Sequence, residues 1–448
     1  MRQSGTIGVL TAEHTPKLSF GQWIWYAREN RLYLMLCAGL MLIQFIVFKS
    51  LFPNPDFLPE SYAYLEMAAA DKDVSLWPVG YAKFLRLGNL FTHSATALVF
   101  FQYLVLQLCI LYFIFTLTYF LRPGKIITCL LFFIGVINPL LLHVSNLISS
   151  DALFTALSIC WATQLLWIMK GARMPLLVIH ALLLLLVFTL SYNALYYPVI
   201  SMIIIAISRS YILFKLAANL LIFVFIGGYI IHTVKTYQRE TGTQQFFTPG
   251  TSNALYAYAH TTPEPAAKIP PRLRPLQAVI RHMDSLRQVR VWQWSAMAPL
   301  YGSYGAYAMR KYPGLYVKYY LLPNLITFYV PEAESLDGIA APYTLIIALS
   351  NLGFLTGCII FFVINGFKSG GYLTSVLPGA FILWFANGIF SVMAGPIVLR
   401  YQVFSMIMSA AFSLIMIEYF IDAANADEPE KINLRADDAP VLAGESLH

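Results

Sequence analysis

The chain has 448 residues, 58% hydrophobic and only 11% charged, with a mean hydropathy of +0.66. That composition belongs to the membrane class and leaves no room for a large soluble domain. The net charge of +7 does not call for nucleic acid as a partner, because Lys and Arg accumulate on the cytoplasmic side of membrane proteins.

A bilayer core about 30 Å thick takes roughly 20 apolar residues per helical span. Residues 1–31 read as a polar, cytoplasmic N-terminal segment, and the run behind it as a retained span, not a cleaved signal peptide. An N-terminal transmembrane module then occupies 32–231, with apolar runs near Leu32–Leu51, Ser94–Leu121, Ile126–Leu142, Ala152–Met169, Met174–Leu190, Leu195–Ile207 and Leu216–Ile231. The run at Leu195 is short and reads as a kinked or partial span. Within this module, 52–93 is an acidic first external loop. Residues 232–340 form an extracytoplasmic segment, proline-broken at first, whose Tyr- and Lys-rich stretch "MRKYPGLYVKYYLLPNLITFYVPE" reads as a helix on the membrane surface. Runs near Ala341–Ile364, Tyr372–Ile389 and Ile397–Phe420 complete the C-terminal helices of 341–420, and 421–448 is an acidic, disordered cytoplasmic tail. The expected fold is therefore an all-α integral membrane bundle of about ten transmembrane helices, with interfacial helices on a long extracytoplasmic segment.

Sidedness follows from the short loops. Arg28 and Arg31, Arg122 and Lys125, Lys170 and Arg173, Arg209 and Lys215, and Lys368 fall in alternate connections. Placing them in the cytoplasm puts both termini inside. The other face receives the 52–93 loop, the corner at Asp151, the turn at Ser191 and the 232–340 segment. Five cysteines, all inside apolar runs, read as small buried hydrophobes without disulfide or zinc spacing. No Walker loop, GxGxxG or HExxH occurs.

Ionisable groups are almost absent from the middles of the runs, His180 being the main exception, and a packed, satisfied histidine is its expected role. Coupled transporters place such groups within the membrane. Here Asp56, Glu60, Glu66 and Asp151, with Arg400, collect at one interface, which suits chemistry at the lipid–water boundary.

At the first external loop the sequence resembles a known family. Glu60, Tyr64 and "EMA" at 66–68, running into "WPVGYAKFLRL", are similar to the opening of the GT-C glycosyltransferases, the group containing protein mannosyltransferases and the lipid A aminoarabinose transferase. "NPLLLHVSNLISSDALFTALS", with Asp151, resembles the corner where that family carries a second acid. "LSYNALYYP", with Asn193, resembles a later turn, although Ser191 stands where a basic residue is common. "PIVLRYQVF", with Arg400 and Tyr401, resembles the opening of a late span.

The resemblance implies a GT-C-like bundle and a bacterial inner-membrane enzyme with its active site facing the periplasm. It would move a sugar from a polyprenyl-phosphate donor to a lipid, glycan or protein acceptor. A loop carboxylate acts as general base, with Glu60 the first choice and Asp56 the rival. Asp151 is a second acid or a helix-capping residue. Arg400 must face water, phosphate or carboxylate, so a phosphate contact and a pair with Asp151 or Glu60 both fit. Arg287 and Arg290 are candidates for the donor phosphate or for lipid headgroups, and Tyr64, Tyr401 and Asn193 complete the substrate-binding set. No ligand set for a metal is evident; a divalent ion remains open from the family, and "DKD" at 71–73 reads as solvated loop. The alternatives are a flippase for lipid-linked oligosaccharide or another multispan transporter, which needs a continuous polar path, and a non-catalytic membrane assembly partner.

Overall fold

A computed structural model describes residues 18–242 apart from 76, then 310–331, 341–365, 372–394 and 399–427, with isolated positions 244, 246, 271, 307 and 397. The elements used below are α1 (Phe20–Tyr26), α2 (Arg28–Leu51), α3 (Pro59–Ala69), α4 (Gly80–Asn89), α5 (Ala95–Leu121), α6 (Lys125–Val136), α7 (Pro139–Asn146), α8 (Asp151–Gly171), α9 (Met174–Leu190), α10 (Tyr197–Ile207) and α11 (Ile212–Thr241). After these come α12 (Pro313–Tyr316), α13 (Leu322–Tyr329), α14 (Ala341–Asn365), α15 (Tyr372–Ala394) and α16 (Leu399–Asp427). Strands are absent among the described residues, apart from one isolated bridge between Asp56 and Leu147.

Among the described residues, eight helices are long and apolar enough to cross a membrane, α6 and α7 counting as one crossing. The protein is thus an all-α integral membrane protein by the length and composition of its helices. The about ten spans expected become eight plus two shorter apolar helices, α9 and the Tyr192–Ile207 pair. The difference has a local cause. Tyr192–Tyr196 is a 3₁₀ turn and α10 has 11 residues, roughly 16 Å of helix, well short of a hydrocarbon core. Between α6 and α7, Asn138 breaks the rod: its side chain accepts from Leu140 N at 3.1 Å, and Pro139 opens the next helix, as N-cap and first-turn residues do.

Helices α5, α8 and α16 lie deepest, whereas α2 and α11 are the most peripheral of the spans. The peripheral pair presents Ile43, Ile46, Leu220 and Phe223 outward, as lipid-facing surfaces require. Several polar side chains within the bundle find partners inside it, His180 and Trp161 among them. His180 is fully buried; its Nδ1 is 2.9 Å from Gln164 Oε1 and its Nε2 is 3.0 Å from Ser201 Oγ. Trp161 Nε1 donates to the same Ser201 oxygen at 2.8 Å. Of the cysteines, Cys37 and Cys358 are buried, Cys109 and Cys160 half-buried, and Cys129 is exposed, so burial does not hold for Cys129.

Two expectations shift in this region. The helix anticipated on the membrane surface instead runs inward along α15. Tyr320 Oη donates to Val392 O at 3.1 Å, and nine residues on, Tyr329 Oη donates to Trp384 O at 2.6 Å. Tyr320 and Tyr329 of this stretch therefore find backbone acceptors on α15. A π-turn at Val317–Leu321 precedes Pro323, whose missing N–H would interrupt a regular ladder. The inner end is held by a closed ring, since Asn351 Nδ2 donates to Tyr329 O (3.1 Å) and Trp384 Nε1 to Asn351 Oδ1 (2.9 Å). The last helix, second, continues past Phe420 to Asp427, so the start of the expected tail is helical; the rest lies outside the described residues. Likewise α11 runs on to Thr241.

The connections sort to two ends. One end carries Lys125 beside Glu29 (3.0 Å), Gly124 N on Glu418 Oε1 (2.5 Å) and Ala172 N on Ser210 Oγ (3.0 Å). The other gathers the 52–93 loop, the α7–α8 corner, the turn before α10 and the start of α16, with Tyr237 Oη bonded to Ser75 O.

Candidate functional site

The site is assembled by a short zipper. Before α3 the chain runs beside the stretch that leads into α8: Asp56 N donates to Asn146 O and Ile148 N to Asp56 O, both at 3.0 Å. The Asn146 side chain reinforces this, giving Nδ2 to Asp56 Oδ2 (2.9 Å) and Asn54 O (3.1 Å) and taking Lys49 Nζ on Oδ1 (3.0 Å). Gln102 of α5 supports the same corner from beneath, with Nε2 donating to Ser145 O at 2.8 Å while its own oxygen accepts from Tyr81 at 2.7 Å.

Pro59 then starts α3, leaving Glu60 in its first turn, where a carboxylate is favoured by the helix dipole. Tyr64 lies one turn further on the same face. It is 3% exposed, and its hydroxyl meets Ser150 Oγ at 3.2 Å. Burial raises the Tyr64 phenol well above its ordinary value, so this ring stays neutral and acts as a peg. Asp151 opens α8 and accepts from Ser149 Oγ at 2.7 Å.

Arg400, in the first turn of α16, meets both acids. Its Nη2 lies 2.5 Å from Glu60 Oε1, across 340 residues of sequence. Its Nε is 3.1 Å from Asp151 Oδ2, near enough for ion pairing but off the N–H direction, since that N–H has no hydrogen-bond acceptor. The three side chains are 17%, 12% and 10% exposed for Arg400, Glu60 and Asp151. The guanidinium also lies over the Tyr401 ring at 5.2 Å, a cation–π contact. One basic and two acidic side chains thus share a nearly dry corner.

Of the residues expected from the sequence, Glu60, Asp151, Arg400, Tyr64 and Tyr401 meet here. Asp56 does not join Arg400; its carboxylate faces Asn146 and it serves the zipper. Asn193 sits on the 3₁₀ turn at the same end, and none of the contacts that hold Arg400 reaches it. Arg287 and Arg290 lie outside the described residues. Asp71 and Asp73 both pair with Lys83, at 2.8 and 2.7 Å, and Asp71 also with Arg86, so the "DKD" acids are matched by cations. Glu66 pairs with Lys72 at 2.6 Å. Ser149, Ser150, Asn146 and Lys49 were not singled out from the sequence; ordinary polar residues acquire a role only through the fold.

Helix α3, which carries Glu60 and Tyr64, also lines a groove of about 790 Å³. Leu65 and Ala68 of α3, Phe84 and Leu87 of α4, and Phe101 and Leu104 of α5 line it, and Leu87 and Phe101 are exposed. Ile148, three residues before Asp151, also lines it. For a divalent ion the residues do not fit: among the described residues no three His, Cys, Asp or Glu side chains group as ligands, and both carboxylates here face a guanidinium.

No family model, curated protein or solved structure matches this chain.

Proposed function

We propose that the protein is a membrane glycosyltransferase of the GT-C kind, transferring a sugar from a polyprenyl-phosphate donor to an acceptor on the extracytoplasmic face. The observation that carries the reading is the Glu60–Arg400–Asp151 corner, whose Glu60 stands on α3, a helix that also lines an apolar groove. The basic residues of the short loops support the sidedness, and the resemblance at Glu60, Asp151 and Arg400 supports the class.

In this reading the donor's isoprenoid tail occupies the groove and its phosphate approaches Arg400. An acceptor hydroxyl or amine attacks the anomeric carbon, and Glu60 takes the proton as that bond forms. The bond from the anomeric carbon to the phosphate oxygen breaks, and the polyprenyl phosphate leaves with the electron pair. Arg400 balances the developing charge through charge-assisted hydrogen bonds. Asp151 holds the guanidinium, so that phosphate replaces only the Glu60 contact and frees that carboxylate to act as base. Ser149 and the Tyr64–Ser150 contact keep Asp151 and α3 in register.

The test is turnover of synthetic polyprenyl-phosphate hexoses by purified protein, with retained lipids identified by mass spectrometry. Glu60→Gln is expected to lower kcat about 10²–10⁴-fold, the usual contribution of a general base. Full turnover in both Glu60→Gln and Asp151→Asn would reject the site.

A further inference from the structure

At the end of the bundle opposite Glu60, a second cavity of about 540 Å³ opens between α1, the first turn of α2 and the corner joining α5 to α6. Its lining includes three cations, Arg28, Arg122 and Lys125, and one carboxylate, Glu29. That carboxylate is already engaged, with Lys125 Nζ 3.0 Å from Glu29 Oε1. Among the described residues, no carboxylate lies within ion-pairing distance of Arg28 or Arg122. Among those residues, the two guanidinium charges of the cavity have no carboxylate partner.

The backbone at Arg122 is a separate observation. This residue ends α5 with φ 48°, in the left-handed region. Gly or Asn normally fills that position, because a Cβ there crowds the following carbonyl. A cation near the α5 C-terminus gains from the helix dipole, yet a cation one turn earlier would gain the same without the strain. The strained corner brings Arg122 to the cavity wall that Arg28 shares from another helix.

The walls are fixed by contacts of their own. Asn30 Nδ2 donates to Trp23 O at 3.0 Å, holding the elbow between α1 and α2, and Tyr119 Oη donates to Leu18 O at 2.8 Å. Trp25 (62% exposed), Tyr26 and Ile126, each within two residues of the lining in sequence, are exposed. Exposed Trp and Tyr beside the ends of apolar spans mark headgroup depth.

We infer that this cavity binds the phosphate headgroup of an anionic membrane lipid, in the leaflet opposite the Glu60 corner. Guanidinium forks match phosphate oxygens in pairs, and the half-buried Trp23 and Tyr33 rings of the lining flank the glycerol region. A lipid is favoured over a free anion because the exposed Trp25, Tyr26 and Ile126 side chains have their natural neighbours in acyl chains.

The experiment uses the full chain in detergent, with native mass spectrometry and thermal melting in the presence of dioleoyl phosphatidylglycerol, dioleoyl phosphatidylcholine or inorganic phosphate. Phosphatidylglycerol should be retained in preference and should raise the melting midpoint. In the double variant Arg28→Ala, Arg122→Gly, retention should fall about tenfold or more. Arg122→Gly alone should melt no lower than wild type without lipid, since it relieves the backbone, which separates lost binding from lost folding. Equal retention by wild type and double variant, or equal retention of phosphatidylcholine, overturns the inference. Inorganic phosphate matching the effect of phosphatidylglycerol also overturns it, in favour of a soluble anion.

Discussion

The two ends of this bundle use the same ionic groups in opposite ways. At one, Arg400, Glu60 and Asp151 are less than one-fifth exposed and the arginine meets both acids. At the other, Lys125 and Glu29 pair while 83% and 71% exposed, and two arginines line an open cavity. Burial makes the first arrangement interdependent, because each charge lacks water to replace a lost partner. Solvent makes the second nearly additive, since exposed pairs contribute about 0–1 kcal/mol. Strong coupling suits a reaction centre that must hold geometry, and open cations suit reversible capture of an anion.

Removing the central cation tests this contrast most severely. Arg400→Met leaves two carboxylates in a dry corner and should cost about 3–5 kcal/mol, whereas Lys125→Met at the far end should stay within about 0.5 kcal/mol. Melting both variants in matched detergent decides it; similar small losses would mean that water reaches the Arg400 corner freely.

A smaller effect is expected at the packing that backs the buried end. A Cβ on Gly388 would run into Tyr329 Oη and stand 2.6 Å from its ring, with Trp384 stacked on that ring at 3.9 Å. Gly388→Ala should therefore push Tyr329 off Trp384 O and cost about 1–3 kcal/mol, the range for overpacking. Limited proteolysis near residue 330 should quicken. Unchanged stability and cleavage would show that the inward-running segment is not latched there.

The smallest effect should come from the exposed pairs above the groove. Lys83→Ala releases Asp73 and leaves Asp71 to Arg86, all of them about half-exposed, and should lower stability by no more than about 1 kcal/mol. High salt should shrink that difference further by screening. A larger, salt-independent loss would show that the 71–86 stretch shares the interdependence of the Arg400 corner.

Much of this was legible in the chain itself. Apolar runs of sufficient length, such as Ser94–Leu121 and Ile397–Phe420, declare spans because lipid allows no unpaired backbone. Glu60, Asp151 and Arg400 stood out because charges are scarce and costly beside such runs. Lys49 and Asn146 could not be found this way, since a lysine at a span end and an asparagine in a corner are commonplace. Their roles exist only where the 54–56 and 146–148 stretches pair.

Sequence alone determined the membrane class, the positions of most spans and a short set of acids and cations at their ends, because hydropathy and charge cost are local properties. Tertiary structure decided which acid meets the guanidinium, sending Glu60 rather than Asp56 to Arg400 across 340 residues. It also turned a tyrosine-rich stretch inward along α15. Both outcomes depend on partners distant in the chain, whose hydrogen-bond acceptors and opposite charges come within reach only once the helices are packed.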